Sequence, residues 1–346
     1  MEKRDIKSLT LEELTEELKA QGYPAYRGKQ IYQWLHVKLA ESFEEMTDLS
    51  KDMRRSLAER YRIVQLKPVQ VLVSKVDGTR KYLFALEDGH IIESVWMRYK
   101  HGDSVCISSQ VGCRMGCRFC ASTLDGLERD LRPSEMLEQV YQIQKDTGER
   151  ISHVVVMGSG EPLDNLEGLL AFIRLLCGPE GLNISQRNIT VSTCGLVPEI
   201  LRLSEEGLQI TLALSLHAPD DEVRERLMPI AKRYPLQEVL DACQRYFQTT
   251  GRRLTFEYSL IKGENDSPGH AHALARLLKD QHGHVNLIPV NPVKERGLAQ
   301  PDKKRIDAFK NILEKSGINV TIRREMGRDI NGACGQLRKS FLQKMG

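Results

Sequence analysis

From residue 103 the chain repeats one pattern six times: a short apolar, strand-like run followed by an amphipathic helix. The runs are SVCISSQ, ISHVVVMG, NITVSTCG, QITLALSLHA, RRLTFEYSLIKG and HVNLIPVNP, and NVTIRRE adds a final strand. Strands buried on both faces read as near-continuous apolar runs, and strand–helix alternation calls for parallel neighbours joined by right-handed crossovers. Six units rather than eight predict an α/β fold, an incomplete (β/α)6 barrel over residues 99–330. In such a barrel the chemistry sits at the C-terminal ends of the strands.

The flanks obey other periods. Residues 1–62 predict a helical accessory domain: Thr10 and Glu13 make a capping box before Leu11, Leu14 and Leu18, and two more helices carry Ile31, Trp34, Leu35 and Leu49, Met53, Leu57. Its connection GYPAYRGKQ mixes aromatic and basic side chains, which suits RNA contact or a packing loop equally. Residues 63–98 switch to period two, with Asp77-Gly78 and Asp88-Gly89 at the turns, and predict a small antiparallel β unit packed between the helices and the barrel. Residues 331–346 are expected to be a C-terminal loop and tail. No apolar run reaches the roughly 18 residues of a membrane span, and MEKRDIKSLTLEEL lacks the apolar core of a signal peptide. No exposed apolar stripe is evident, which predicts a monomer. A net charge of +3 identifies no nucleic-acid partner, and pairs such as Arg252-Arg253 and Arg323-Arg324 read first as solvated faces.

Four of the eight cysteines fall between Cys106 and Cys120, in CISSQVGCRMGCRFC. Clustering of this kind points to a reducing, cytoplasmic setting and to metal or redox use rather than a disulfide framework. Cys113, Cys117 and Cys120 are spaced C-x3-C-x2-C directly after the first barrel strand. A structural zinc site closes with four ligands, usually as two pairs, and no second C-x2-C or H-x3-H exists here. A [4Fe–4S] cluster on three thiolates leaves one iron open for chemistry, and this reading is favoured.

The other strand ends are polar beyond what packing requires. The second ends in Gly158-Ser159-Gly160-Glu161-Pro162, where glycines allow close backbone approach to a ligand and Glu161 offers a carboxylate to an ammonium group. The third offers Ser192, the fourth Ser215-Leu216-His217, and the sixth Asn286 and Asn291.

With these residues in view, the chain resembles the radical S-adenosylmethionine (SAM) superfamily. More narrowly, CISSQVGCRMGCRFCAST, VVVMGSGEPLDN, SLHAPDDEVRERLMPI, HVNLIPVNP and GACGQL resemble the RlmN-type RNA adenine methyltransferases over nearly the whole chain. Ser159 departs from the Met often found at that place in the family. The resemblance implies a radical SAM barrel in which Cys113, Cys117 and Cys120 ligate the cluster. It implies that Gly160, Glu161, Ser192, Ser215, Leu216, His217 and Asn291 line the SAM pocket.

It further implies that Cys334, in GRDINGACGQL, carries a methyl group taken from a first SAM. A second SAM, cleaved to a 5′-deoxyadenosyl radical, activates that methyl for addition to adenine. Cys106 then releases the RNA adduct, leaving a Cys106–Cys334 disulfide for reduction, with Gly327, Gly332 and Gly335 letting the loop move. Glu93 matches a proposed proton acceptor, and a surface strand glutamate is the equal alternative. The implied substrate is carbon 2 of adenosine in 23S rRNA at the peptidyl-transferase centre, and in some members tRNA beside the anticodon, with flavodoxin as reductant. The competing readings are a Cfr-type carbon-8 methyltransferase, a radical SAM activase acting on a protein, and a zinc-stabilised RNA-binding protein.

Overall fold

A computed structural model describes residues 3–291 and 296–330. The N-terminal segment contains β1 (Arg4–Asp5), α1 (Leu11–Ala20), α2 (Tyr26–His36), α3 (Lys51–Arg60) and β2 (Tyr61–Arg62), and β1 pairs with β2 in parallel. The capping box of α1 is formed, with Glu13 N–H donating to Thr10 Oγ1 at 3.2 Å and Thr10 N–H to Glu13 Oε2 at 2.8 Å. Both orphan donors at the helix start are thereby satisfied.

Next come β3 (Lys67–Val73), β4 (Arg80–Ala85), β5 (Ile91–Tyr99), β6 (Gly102–Ile107), β7 (Gln110–Gly112) and β8 (Leu127–Asp130). The alternating part runs α4 (Pro133–Thr147), β9 (Ile151–Val156), α5 (Leu166–Cys177), β10 (Ile189–Thr193), α6 (Val197–Glu205), β11 (Thr211–Ser215), α7 (Asp221–Leu227) and α8 (Leu236–Thr250). It ends with β12 (Leu254–Leu260), α9 (Pro268–Leu277), β13 (Gly283–Pro289), α10 (Lys303–Lys315) and β14 (Val320–Ile322).

Among the described residues, β6 and β9 to β14 lie side by side in chain order, each parallel to the next. Monotonic order is what a barrel path produces, and the ends of the strand order do not pair with each other, so it stays open. The antiparallel strands do not pack as a separate layer. β5 pairs with β4 on one edge and with β6 on the other, so β3, β4 and β5 extend the barrel sheet to ten strands.

The hydrophobic core is continuous from Ile6, Leu14 and Leu35 in the helical segment, through Leu137 and Tyr141 on α4, to Phe309 on α10. A buried ion pair crosses the junction: Lys7 Nζ donates to Glu138 Oε1 at 2.6 Å and to Val64 O at 3.1 Å. No helix among the described residues is long and apolar enough to cross a membrane.

Candidate active site

The cysteine loop is closed at its base by a hairpin that sequence periodicity did not reveal, because β7 has only three residues. β7 pairs with β8 in antiparallel register, Gln110 opposite Asp130 and Gly112 opposite Leu127. Gly112 has φ +78°, and any Cβ there would collide with Gly126 O. Above this base, Cys113 N–H donates to Gly126 O at 2.8 Å, and Thr123 Oγ1 donates to Cys117 O and Cys120 O at 3.1 and 3.0 Å. The loop also leans on the far strands. Arg118 N–H donates to Leu227 O at 2.9 Å, and Phe119 meets the His217 ring edge-on at 4.6 Å.

Cys113 and Cys117 are buried and Cys120 is half-buried. Burial pushes the Cys113 thiol up to about 12 and Cys117 and Cys120 upward as well, and the first two are raised further by charge on neighbouring thiols. Three sulfurs that resist ionising next to one another are suited to a cationic metal centre that binds them as thiolates and releases their protons. A cubane cluster gives each thiolate its own iron, so the donor set fits it. Cys113, Cys117 and Cys120 would hold it.

The glycines of Gly158-Ser159-Gly160 make a close approach, and the partner is the chain itself. A Cβ on Gly158 would lie 2.6 Å from Ile107 O, and one on Gly160, at φ +110°, 2.7 Å from Gln110 Cβ. The turns after β6 and β9 are interlocked: Ser109 and Gln110 N–H both donate to Ser159 O, at 2.9 and 3.1 Å, and Ser159 N–H donates to Ser108 Oγ at 3.0 Å.

Glu161 is only 4% exposed. Its Oε1 accepts from Leu163 N–H at 3.2 Å and its Oε2 from Cys194 N–H at 2.8 Å, so the carboxylate braces the exits of β9 and β10. Burial raises its pKa, and the bond from Cys194 opposes the rise.

Ser192 Oγ and Ser215 Oγ are 3.3 Å apart on adjacent strands. Leu216 is fully buried, and its N–H and that of His217 donate to Glu257 O at 3.0 and 3.2 Å. His217 takes φ +55°, its Nδ1 accepts from Ser259 N–H at 2.9 Å, and Asn265 Nδ2 donates to its carbonyl at 2.7 Å. Burial drives its pKa down to about 3, so the ring is neutral with its remaining proton on Nε2. Asn291 is exposed at the exit of β13.

Glu93 is no surface glutamate. It is 2% exposed, and its Oε2 lies 3.1 Å from Nζ of the equally buried Lys81. Cys106, opposite Val95 on one side and Val155 on the other, is a free buried thiol among Val95, Met97, Met157 and Met326. Burial raises its pKa and Arg323 pulls it back. Cys334, Gly332 and Gly335 lie outside the described residues. Gly327 is pinned: its N–H donates to Asp77 Oδ2 at 2.9 Å, and two residues on Asp329 accepts from Ser74 Oγ at 2.6 Å.

Two side chains at this mouth escaped the sequence reading. Glu257 sits in mid-β12 between Phe256 and Tyr258, whose rings belong to the helix-covered core. Alternation turns Glu257 the other way, where Asn286 Nδ2 donates to its Oε2 at 2.9 Å. Burial pushes its pKa up to about 7. A charged residue within FEY was the available signal. The second is Arg224 on α7, fully buried, whose Nη2 donates to Cys194 O at 2.7 Å.

Comparison with known proteins agrees with this geometry. Residues 107–275 match the profile of the Radical SAM superfamily, and residues 4–63 match the ribosomal RNA large subunit methyltransferase N-terminal domain. The chain is 61% identical, over 99% of its length and 96% of the relative's, to a probable dual-specificity RNA methyltransferase RlmN of Lachnoclostridium phytofermentans. It is 52% identical, over 99% of both chains, to the protein so described in Clostridium perfringens strain 13. A crystal structure of a radical SAM methyltransferase from Sphaerobacter thermophilus superposes with a TM-score of 0.92 at 45% identity, covering 96% of this chain and 98% of that one.

Proposed function

The chain belongs to the RlmN family of radical SAM RNA methyltransferases, which use a [4Fe–4S] cluster and SAM, and on that premise we propose that it methylates carbon 2 of adenosine. The substrates are 23S rRNA at the peptidyl-transferase centre and the tRNA adenosine beside the anticodon, in the cytoplasm, with two SAM per turnover and a flavodoxin-like reductant. The protein acts as a monomer. The observation that carries this reading is the cysteine loop. Its three thiols follow the first barrel strand, and Phe119 on the same loop meets the His217 ring, at strand exits that also carry Glu161, Ser192 and Ser215.

An adenine ring C–H is neither acidic nor nucleophilic at carbon, and the cluster with SAM supplies the one-electron chemistry that bypasses this barrier. The chain's own groups do the rest. Thr123 holds the carbonyls of Cys117 and Cys120 and so sets the loop's shape. Glu161 fixes the distance between two strand exits through backbone donors, while Gly160, Ser192, Ser215, Leu216, His217 and Asn291 line the SAM pocket. His217, locked neutral, orients and does not exchange protons at neutral pH.

Cys334 is the methyl-bearing thiol and Cys106 its partner. Met326, eight residues before Cys334, already packs beside Cys106. Gly327 and Asp329 are tied to the Ser74–Asp77 turn. Glu93, paired with Lys81 in the interior, is the proton acceptor.

The test is anaerobic reconstitution with iron and sulfide, then incubation with SAM, reductant and 23S rRNA, read by mass spectrometry of digested RNA. 2-Methyladenosine is the expected product. 8-Methyladenosine instead would assign the carbon-8 branch, and label from SAM that stays on the protein in Cys334→Ala would remove that cysteine from its role.

A further inference from the structure

Arg224 heads the fully buried side chains by volume, and none of the roles above uses it. Its Nη2 donates to Cys194 O at 2.7 Å, while Nε and Nη1 are buried with no hydrogen-bond partner among the described residues. A guanidinium stripped of water and left with two unmet donors is costly, so a structure that keeps one has a use for the missing partner.

The surroundings link Arg224 to the cysteine loop. Cys194, which Arg224 grips by its carbonyl, is held through its N–H by Glu161 at 2.8 Å. A Cβ on Gly195, at φ +101°, would lie 2.9 Å from Val239 Cγ1 and 3.2 Å from Nη2, so a side chain there would crowd the guanidinium. The helix that carries Arg224 is tied to the cysteine loop one turn on, where Leu227 O accepts from Arg118 N–H at 2.9 Å.

Three thiolates around a [4Fe–4S] core leave one net negative charge when the core is oxidised and two when it is reduced. A fixed cation in a low-dielectric pocket stabilises the reduced form more than the oxidised one. We propose that Arg224 is a positioning residue for the cluster, its unmet Nε and Nη1 donors and its buried charge serving the cysteine loop to which its helix is tied and raising the reduction potential. The proposal rests on the reading of Cys113, Cys117 and Cys120 as cluster ligands. Iron and sulfide content of the wild-type protein tests that reading separately.

The experiment compares reconstituted full-length wild type, Arg224→Lys and Arg224→Met in dithionite titrations followed by electron paramagnetic resonance, without SAM or RNA. Thermal melts of the iron-free proteins check folding. Arg224→Met is expected to need a poise more negative by about 59 mV or more, a tenfold loss of reduced fraction for a one-electron couple, while Arg224→Lys stays near wild type. An unchanged midpoint in folded Arg224→Met overturns the proposal, and so does an equal shift in both variants, which would trace to lost packing rather than lost charge. If Arg224→Met does not fold, reduced wild type carrying guanidino-15N arginine decides. A nitrogen hyperfine coupling to the cluster, absent from Arg224→Lys, supports the proposal, and a wild-type spectrum without it overturns it.

Discussion

Glu257 shows how a single residue can carry the signature of a site. Nearly complete burial outweighs the hydrogen bond from Asn286 and the charge of Arg323, and the balance moves its pKa from 4.5 to about 7. Because the folded value lies above the unfolded one, the stability linked to this proton is fully present below pH 4.5 and is lost as pH rises through 7. At about 1.4 kcal/mol per pKa unit the whole effect is roughly 3 kcal/mol. Glu257→Gln cannot ionise and keeps a polar partner for Asn286. Its melting temperature is therefore expected to gain on wild type between pH 5 and pH 8, and a gap that stays constant with pH would refute the assignment. His217 is the opposite case. On a barrel rim a histidine invites a proton-transfer role, yet the bond it accepts from Ser259 N–H and its burial make it an orienting group.

At the scale of elements, the loops at the strand exits are held by their neighbours more than by their own sequence. The glycines of the GSGEP turn allow a close backbone approach, and the approach the structure records is to the turn after β6. Gly158→Ala therefore forces a methyl to within 2.6 Å of Ile107 O and is expected to cost about 1–3 kcal/mol and to lower iron retention after reconstitution. Gly148→Ala is the control. That glycine caps α4 at φ +68° with nothing within 4 Å, so only the left-handed penalty of about 1–2 kcal/mol applies and iron retention stays at the wild-type level. Chemical denaturation and iron assays on the two variants separate these outcomes. The Ser267-Pro268 start of α9 was readable outright, because an N-cap and the first turn need only local atoms: Ser267 Oγ accepts from His270 N–H at 3.1 Å.

The whole molecule is bound together across the junction between the helical segment and the barrel. Lys7 and Glu138 are each 1% exposed, and Glu138 Oε2 also accepts from Leu66 N–H at 3.3 Å, so one carboxylate ties together the N-terminus, the entry to β3 and α4. His36 Nδ1 and Tyr141 OH, 2.7 Å apart, add a second link. Lys7→Met leaves a buried carboxylate without its counter-charge and is expected to destabilise the protein by about 3 kcal/mol. Urea unfolding should remain one transition, because the core is shared. A separate early transition for the helical segment would show instead that it folds on its own.

Periodicity alone determined the alternating strands and helices, hence a parallel, barrel-like sheet, and the period-two hairpins before it. Those patterns depend on which side chains avoid water, and that is written locally. Spacing alone likewise set three thiols on one loop. Tertiary structure decided what depends on neighbours distant in sequence: that β5 joins β6 edge to edge, that Glu93 is buried against Lys81, that Glu161 braces two strand exits. It also decided that Arg224, an unremarkable helical arginine as a letter, loses all contact with water. Desolvation and long-range hydrogen bonding are properties of the assembled interior, and no local pattern encodes them.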